Sequence, residues 1–257
     1  MNMSELRNIT RDELTVRVFD SRQSMGEAAA EHAAKWIREL CETKDEINII
    51  FAAAPSQNEF LKELSKKDVD WSRINAFHMD EYIGLPEDAP QGFANFLRRS
   101  IFDVVPFKKV YCIWGQNPSP EAECKNYESI LLKHPADIIF MGIGENAHLA
   151  FCDPGVAFFD DPENVKIVKL AETCRIQQVN DGCFKNLDDV PTHAITLTVP
   201  IMMKAPKVML VVPTALKAKA IHDTLLGPVD EMVPASAVRM HKGGATLYTD
   251  EAGASLI

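Results

Sequence analysis

The sequence contains no run of about eighteen apolar residues, the length a helix needs to cross a bilayer. Its first twenty residues, MNMSELRNITRDELTVRVFD, carry charges where a secretory leader requires an apolar stretch, so neither export nor a membrane partner is expected. Positive charge is scarce: 27 Lys and Arg stand against 37 Asp and Glu, a formal net charge of -10. Nucleic acids and anionic membrane surfaces are held by clustered Lys and Arg, and no such cluster is present. Both are therefore excluded as partners, and any anion must be held at a local site. The six cysteines, Cys41, Cys112, Cys124, Cys152, Cys174 and Cys183, show no CxxC and no metal-like spacing, which predicts reduced thiols, no metal and a cytoplasmic location. Internal repeats, low-complexity tracts and Gly/Ser linkers are missing as well.

What is present has the balance of an ordinary globular protein. Hydrophobic residues make up 46% and charged residues 25% of the 257. That suffices for a full core, and residues 1–257 are read as a single domain. Short apolar runs alternate with segments of helical period. LTVRVF (14–19) precedes a helix with Met25, Ala28, Ala29, Ala33, Ile37 and Leu40 on one face. INIIFAAA (47–54), a helix around 57–66, INAFHMD (74–80), a helix near 91–104, KVYCI (109–113), a helix near 119–133 and ADIIFMG (136–142) follow. VKIVKL (165–170), HAITLTV (193–199), KVMLVV (207–212), a helix near 214–226 and ATLYTD (245–250) complete the chain. This is the rhythm of parallel βαβ units, and strands apolar on both faces call for helices on both sides of the sheet. The expected fold is α/β, a doubly wound, Rossmann-like, mostly parallel open sheet.

Such sheets bind ligands beyond the carboxyl ends of their strands. Four strand ends carry chemistry. AAAPSQNEFL (52–61) sets Ser56 and Gln57 before a helix, where free N–H groups favour a phosphate; Ser56 would equally serve as a helix cap. The P-loop glycines and lysine are absent. FHMDEYIGL (77–85) runs from a strand into Asp80 and Glu81, and adjacent acids in a cleft raise one another's pKa, which suits a general base. GIGENAHLAF (142–151) turns at Gly142 and Gly144 and places His148 near Asn146 and Asp153, a setting for proton shuttling near pH 7. GIGENA is not a dinucleotide fingerprint, since Ala147 replaces its third glycine. Lys217, in VVPTALKAKAI, lies one turn into a helix and is read either as a point charge for a phosphate or as a surface lysine.

Together these stretches resemble the glucosamine-6-phosphate deaminases (isomerases), whose superfamily also holds galactosamine-6-phosphate deaminases and 6-phosphogluconolactonases. FHMDEYIGLP is close to the family's F-N-M-D-E-Y-x-G-L pattern. GIGENAHLAFCDPG is close to G-x-G-x-D-G-H-I-A-F-N-E-P, and HAITLTV adds to the likeness, which spans about residues 15 to 250. The resemblance implies a modified doubly wound sheet, no metal or organic cofactor, and conversion of an amino-sugar 6-phosphate to a ketohexose 6-phosphate and ammonia. It implies Asp80 as the base moving a proton between C2 and C1, and His148, oriented by Asn146 and Asp153, as the group that opens the ring. Ser56, Gln57, Glu81, Gly144 and Lys217 would bind substrate, Lys217 at its phosphate. Family members are often oligomers, so a homo-oligomer is part of the same expectation.

The chain departs from the pattern around the site. Asn146 replaces the acid two positions before the histidine, Ala147 the next glycine, Asp153 a glutamate and Cys152 an asparagine. Asn146 can fix an imidazole tautomer but cannot stabilise an imidazolium by charge. The T-G-x-T-P phosphate run is Ala53 to Gln57 here, and a phosphate-binding arginine falls near Asn180, with Arg175 close by. GVAFFDDPEN (155–164) is acidic where allosteric members are basic, so no activation by an acetylated sugar phosphate is expected. Galactosamine 6-phosphate competes with glucosamine 6-phosphate as substrate; lactone hydrolysis and a non-catalytic sugar-phosphate sensor are the alternative functions.

Overall fold

A computed structural model describes residues 4–180 and 182–257. In chain order, β1 (Glu5–Arg11) and β2 (Leu14–Phe19) lead into α1 (Arg22–Cys41) and β3 (Ile47–Phe51). Then come α2 (Asn58–Leu64), β4 (Ile74–His78), β5 (Asp80–Tyr82), α3 (Phe93–Leu97), β6 (Lys109–Tyr111), α4 (Pro120–Lys133) and β7 (Ile138–Met141). The remaining elements are β8 (Val165–Lys169), α5 (Glu172–Asn180), β9 (His193–Leu197), α6 (Val199–Met202), β10 (Lys207–Val211), α7 (Ala218–Leu226) and β11 (Ala245–Asp250).

Eight strands form the main sheet in the order β1-β2-β11-β10-β7-β3-β4-β6. All neighbours are parallel except β1, which pairs antiparallel with β2. Alternate side chains of each strand supply separate cores, as the two-sided apolar pattern requires. Val16, Ile50, Ile139, Leu210 and Leu247 enter one core, and Ile49, Phe51, Phe140, Met209 and Tyr248 the other. The doubly wound fold is thus as the sequence indicates. β1 escapes sequence reading because ELRNITR is polar and mostly exposed, as befits a sheet edge.

Two expected members of the main sheet, 165–170 and 193–199, and the end of a third, 74–80, leave it. β5, β9 and β8 form a second, antiparallel sheet in that order. The segment expected as one strand over 74–80 breaks at Met79, whose carbonyl accepts the Leu197 N–H at 2.8 Å, and Asp80 then pairs with Thr196. An apolar run announces burial on both faces but not the sheet it joins, and Ile195 and Ala194 do enter different cores. The helix expected near 91–104 is α3 followed by a π-helical turn, Arg98–Phe102. α5, which sequence reading does not anticipate, packs Cys174 and Gln177 inward.

Candidate active site

The carboxyl ends of β2, β3, β7 and β10, together with the start of β5, surround one cleft of about 680 Å³. Asp80, His148, Ser56, Gly144 and Lys217 line it. Asn146, Asp153, Gln57 and Glu81 do not line it; they stand behind the residues that do.

His148 is held at one ring nitrogen. Its Nδ1 lies 2.7 Å from Asn146 Oδ1 and 3.2 Å from Asp153 Oδ1. Asn146 Nδ2 donates to Asp153 Oδ1 at 2.8 Å, which leaves Asn146 Oδ1 as acceptor for an Nδ1–H. That tautomer keeps Nε2 unprotonated and able to accept a proton. Burial works against the Asp153 carboxylate, yet hydrogen bonds from His148 and Asn146, with the charge of His148, hold its pKa below the ordinary value. The charge that Asn146 lacks is therefore supplied by Asp153, which can stabilise an imidazolium directly. The ring stacks over Gly144, where an added Cβ would meet imidazole atoms at 2.1–2.3 Å. Gly144 is a seat for the imidazole. The next turn holds Ala147 at φ +65, a left-handed conformation suited to the glycine usual there. Gln177 Oε1 accepts the Glu145 N–H at 3.0 Å and anchors the same loop from α5.

Asp80 opens β5 and is nearly buried at 6% exposure. Burial, and then the neighbouring Glu81 charge, raise its pKa well above the usual carboxylate value. A carboxylate with raised proton affinity is a stronger base toward carbon acids. Glu81 points elsewhere: its oxygens accept N–H groups from Tyr82 and Phe93 at 3.0 Å and Ala94 at 2.8 Å. Glu81 thus caps α3, and its expected contact with substrate has no counterpart in this geometry. Burial raises its pKa although the three N–H groups oppose the shift.

Behind Ser56, Gln57 is 1% exposed, and its Nε2 donates to Ser56 Oγ and Val211 O, both at 3.0 Å. Gln57 fixes the Ser56 hydroxyl as an acceptor for the protein, so the hydroxyl proton is left for a ligand. Lys217 ends the 3-10 turn Ala215–Lys217 after β10. Thr214 before it is held at φ +84, a strained value for a β-branched residue, by its N–H to Asp250 Oδ1 at 2.9 Å.

Arg22 and Arg99 also line the cleft and were missed by sequence reading. Arg22 follows the end of β2, where the strand-end rule applies, whereas Arg99 lies in the π-helical turn, which that rule does not reach. Three cations, Arg22, Arg99 and Lys217, thus face one cleft in a chain of net charge -10. His148, Asp153 and Cys174 bring one potential metal ligand each within 4.8 Å of one another, and Asn146 bridges the His148–Asp153 pair of that group by hydrogen bonds.

A doubly wound sheet with a buried carboxyl, an oriented imidazole and clustered cations at its carboxyl rim defines an acid–base protein for a small anionic ligand. Comparison with known proteins narrows the class. Residues 20–248 match the family described as glucosamine-6-phosphate isomerases/6-phosphogluconolactonase, and the chain belongs to it. It is 37% identical over 230 residues to a glucosamine-6-phosphate deaminase of Bacillus cereus (strain B4264), covering 90% of this chain and 86% of the relative. It is 36% identical over 230 residues to the deaminase of Bacillus thuringiensis (strain Al Hakam), with the same coverage. Among solved structures, a monomeric glucosamine-6-phosphate deaminase of the NagB superfamily superposes with a TM-score of 0.85 at 25% identity, covering 94% of this chain and 99% of that one. A 6-phosphogluconolactonase from Thermotoga maritima, 17% identical with a TM-score of 0.75 over 93% of this chain and 100% of that one, shares the fold.

Proposed function

We propose that this protein is an amino-sugar phosphate deaminase/isomerase, converting glucosamine 6-phosphate or galactosamine 6-phosphate, with water, to the ketohexose 6-phosphate and ammonia. The observation that carries the reading is one cleft lined both by acid–base groups, Asp80 and His148, and by groups suited to an anion, Ser56 and Lys217. A 6-phosphate held by Ser56 and Lys217 would direct C1 and C2 toward Asp80 and His148, so binding energy becomes orientation of the reacting carbons. The His148 Nε2 accepts the anomeric hydroxyl proton and passes a proton to the ring oxygen, with Asp153 stabilising the imidazolium between the two steps. Asp80, ionised, removes the C2 proton and returns it to C1 through an enolamine. The resulting C2 imine adds water and releases ammonia. Ring opening, imine hydration and ammonia loss make and break C–O and C–N bonds, and each is assisted by proton transfers of the kind these residues can supply.

Residues 1–257 act in this reading as one domain, which the two cores sharing a single main sheet support. A cytoplasmic location is part of the proposal; its support is that the six cysteines form no disulfide and that no helix among the described residues is long and apolar enough to cross a membrane. Self-association rests on the family resemblance, beside a solved relative that is monomeric.

The test is an ammonia-release screen over the two amino-sugar phosphates, with N-acetylated and neutral-sugar controls and a 6-phosphogluconolactone hydrolysis assay. Ammonia from at least one amino sugar, lost in Asp80→Asn, sustains the reading. No turnover of either, or lactone hydrolysis indifferent to Asp80→Asn, replaces it.

A further inference from the structure

The anion-binding part of the cleft is built differently from the one the family resemblance implies. Asn180 stands near the position of a phosphate-binding arginine, and nearby Arg175 does not substitute for it. Its Nε and Nη2 donate to the carbonyls of Leu187 and Val190, and it does not line the cleft. Lys217 and the neutral Ser56 give a phosphate dianion one counter-charge, and the cleft offers two more cations: Arg99, whose Nη2 donates to Pro90 O at 2.8 Å, and Arg22, bonded to the loop that carries Ser56.

We infer that Arg22, at the start of α1, is the second phosphate-binding cation of this site, an assignment that rests on the sugar-phosphate reading above. Its place is set by packing. Ser21 caps α1 by accepting the Ser24 N–H at 3.2 Å. One turn beyond Arg22, Gly26 brings α1 so close to α2 that an added Cβ would lie 2.7 Å from Glu59 Cβ. The start of α1 is thereby pinned beside the loop after β3. Arg22 Nη2 donates to Pro55 O at 3.1 Å and to Glu59 Oε2 at 2.7 Å, and Pro55 immediately precedes Ser56.

The guanidinium has five N–H donors in a rigid fork. Among the described residues only Nη2 is engaged; Nε is shut off from solvent, so the donors left for an anionic oxygen are those of Nη1, on a residue that lines the cleft. The contacts through Nη2 fix the fork in advance.

Inorganic phosphate is the direct probe, because it reports on the anion subsite whether or not the enzyme turns over an amino sugar. Arg22→Gln is expected to weaken phosphate binding by calorimetry roughly 10- to 100-fold, the range for losing hydrogen bonds to a charged group. The KM for the active amino-sugar 6-phosphate should rise by a similar factor, with kcat within about threefold, since the reacting carbons are handled by Asp80 and His148. Arg22→Lys should recover part of the affinity. Glu59→Gln removes the ion pair but keeps the arginine, and separates anion binding from a helix tether. In the unsubstituted protein, phosphate should protect residue 22 from phenylglyoxal in a mass-mapped reaction, a measurement that needs no variant to fold. Unchanged phosphate affinity in Arg22→Gln, an equal loss in Glu59→Gln, or no protection overturns the assignment. Failure of the wild-type chain to release ammonia while these phosphate measurements hold would refute the deaminase reading and leave the Arg22 site standing.

Discussion

Asp153 Oδ1 lies 3.2 Å from His148 Nδ1, and Asn146 donates to that same oxygen while accepting at the same ring nitrogen. The carboxylate is therefore coupled to the imidazole although the residue two positions before the histidine is neutral. Asp153→Asn is expected to lower kcat by about 10²-fold or more with little change in KM, the size of effect for losing a group that orients and stabilises a general base. Its contribution to stability has a definite sign. A carboxyl whose folded pKa is depressed stabilises above its unfolded value, about 3.9, and that share is lost as pH falls through the folded pKa. Denaturation midpoints of wild type and Asp153→Asn should differ most between pH 5 and 7 and converge in acid.

Asp80 has the opposite linkage. Its raised pKa means that ionisation of the folded protein is resisted, so stability is lost as pH rises from about 3.9 through the folded value. Asp80→Asn should therefore raise the denaturation midpoint at neutral pH while lowering turnover by about 10²- to 10⁴-fold. The acid limb of kcat/KM in the wild type should fall at a pH above that of an ordinary carboxylate. A variant both inactive and destabilised would contradict this view of Asp80.

Gly144→Ala would place a methyl carbon 2.1 Å from the His148 ring. The imidazole must then leave its seat, and kcat should fall about 10²-fold, with destabilisation of roughly 1–3 kcal/mol from overpacking. A changed His148 resonance in the NMR spectrum would report the displacement directly.

Glu81→Ala removes the acceptor of two buried N–H groups and a third, half-buried one. A loss of about 2–3 kcal/mol in chemical denaturation is expected, with KM nearly unchanged because the carboxylate does not line the cleft. A KM effect without a stability effect would return Glu81 to the substrate.

Thr214→Gly relieves a backbone conformation costing about 1–3 kcal/mol, against about 0.5–1 kcal/mol of added chain entropy for glycine. A net gain of about 1 kcal/mol should raise the thermal midpoint by about 2–4 °C. Weaker phosphate binding would accompany it if the strain positions Lys217.

Local chemistry and periodicity in the sequence determined the parallel sheet, the two-sided cores and the strand ends where Asp80, His148, Ser56 and Lys217 meet, because burial on both faces and the turn after a strand are properties of neighbouring residues. Only the tertiary structure decided that Asp80 opens a second sheet, that Glu81 turns away to cap α3, that Asp153 supplies the charge Asn146 lacks, and that Arg22 and Arg99 reach the same cleft. The Asp153–His148 contact spans only five residues and turns on side-chain orientation; the others depend on contacts between residues distant in the chain. Such contacts are set by packing, as where Gly26 admits α2 against α1, and packing leaves no periodic trace in the residues it joins.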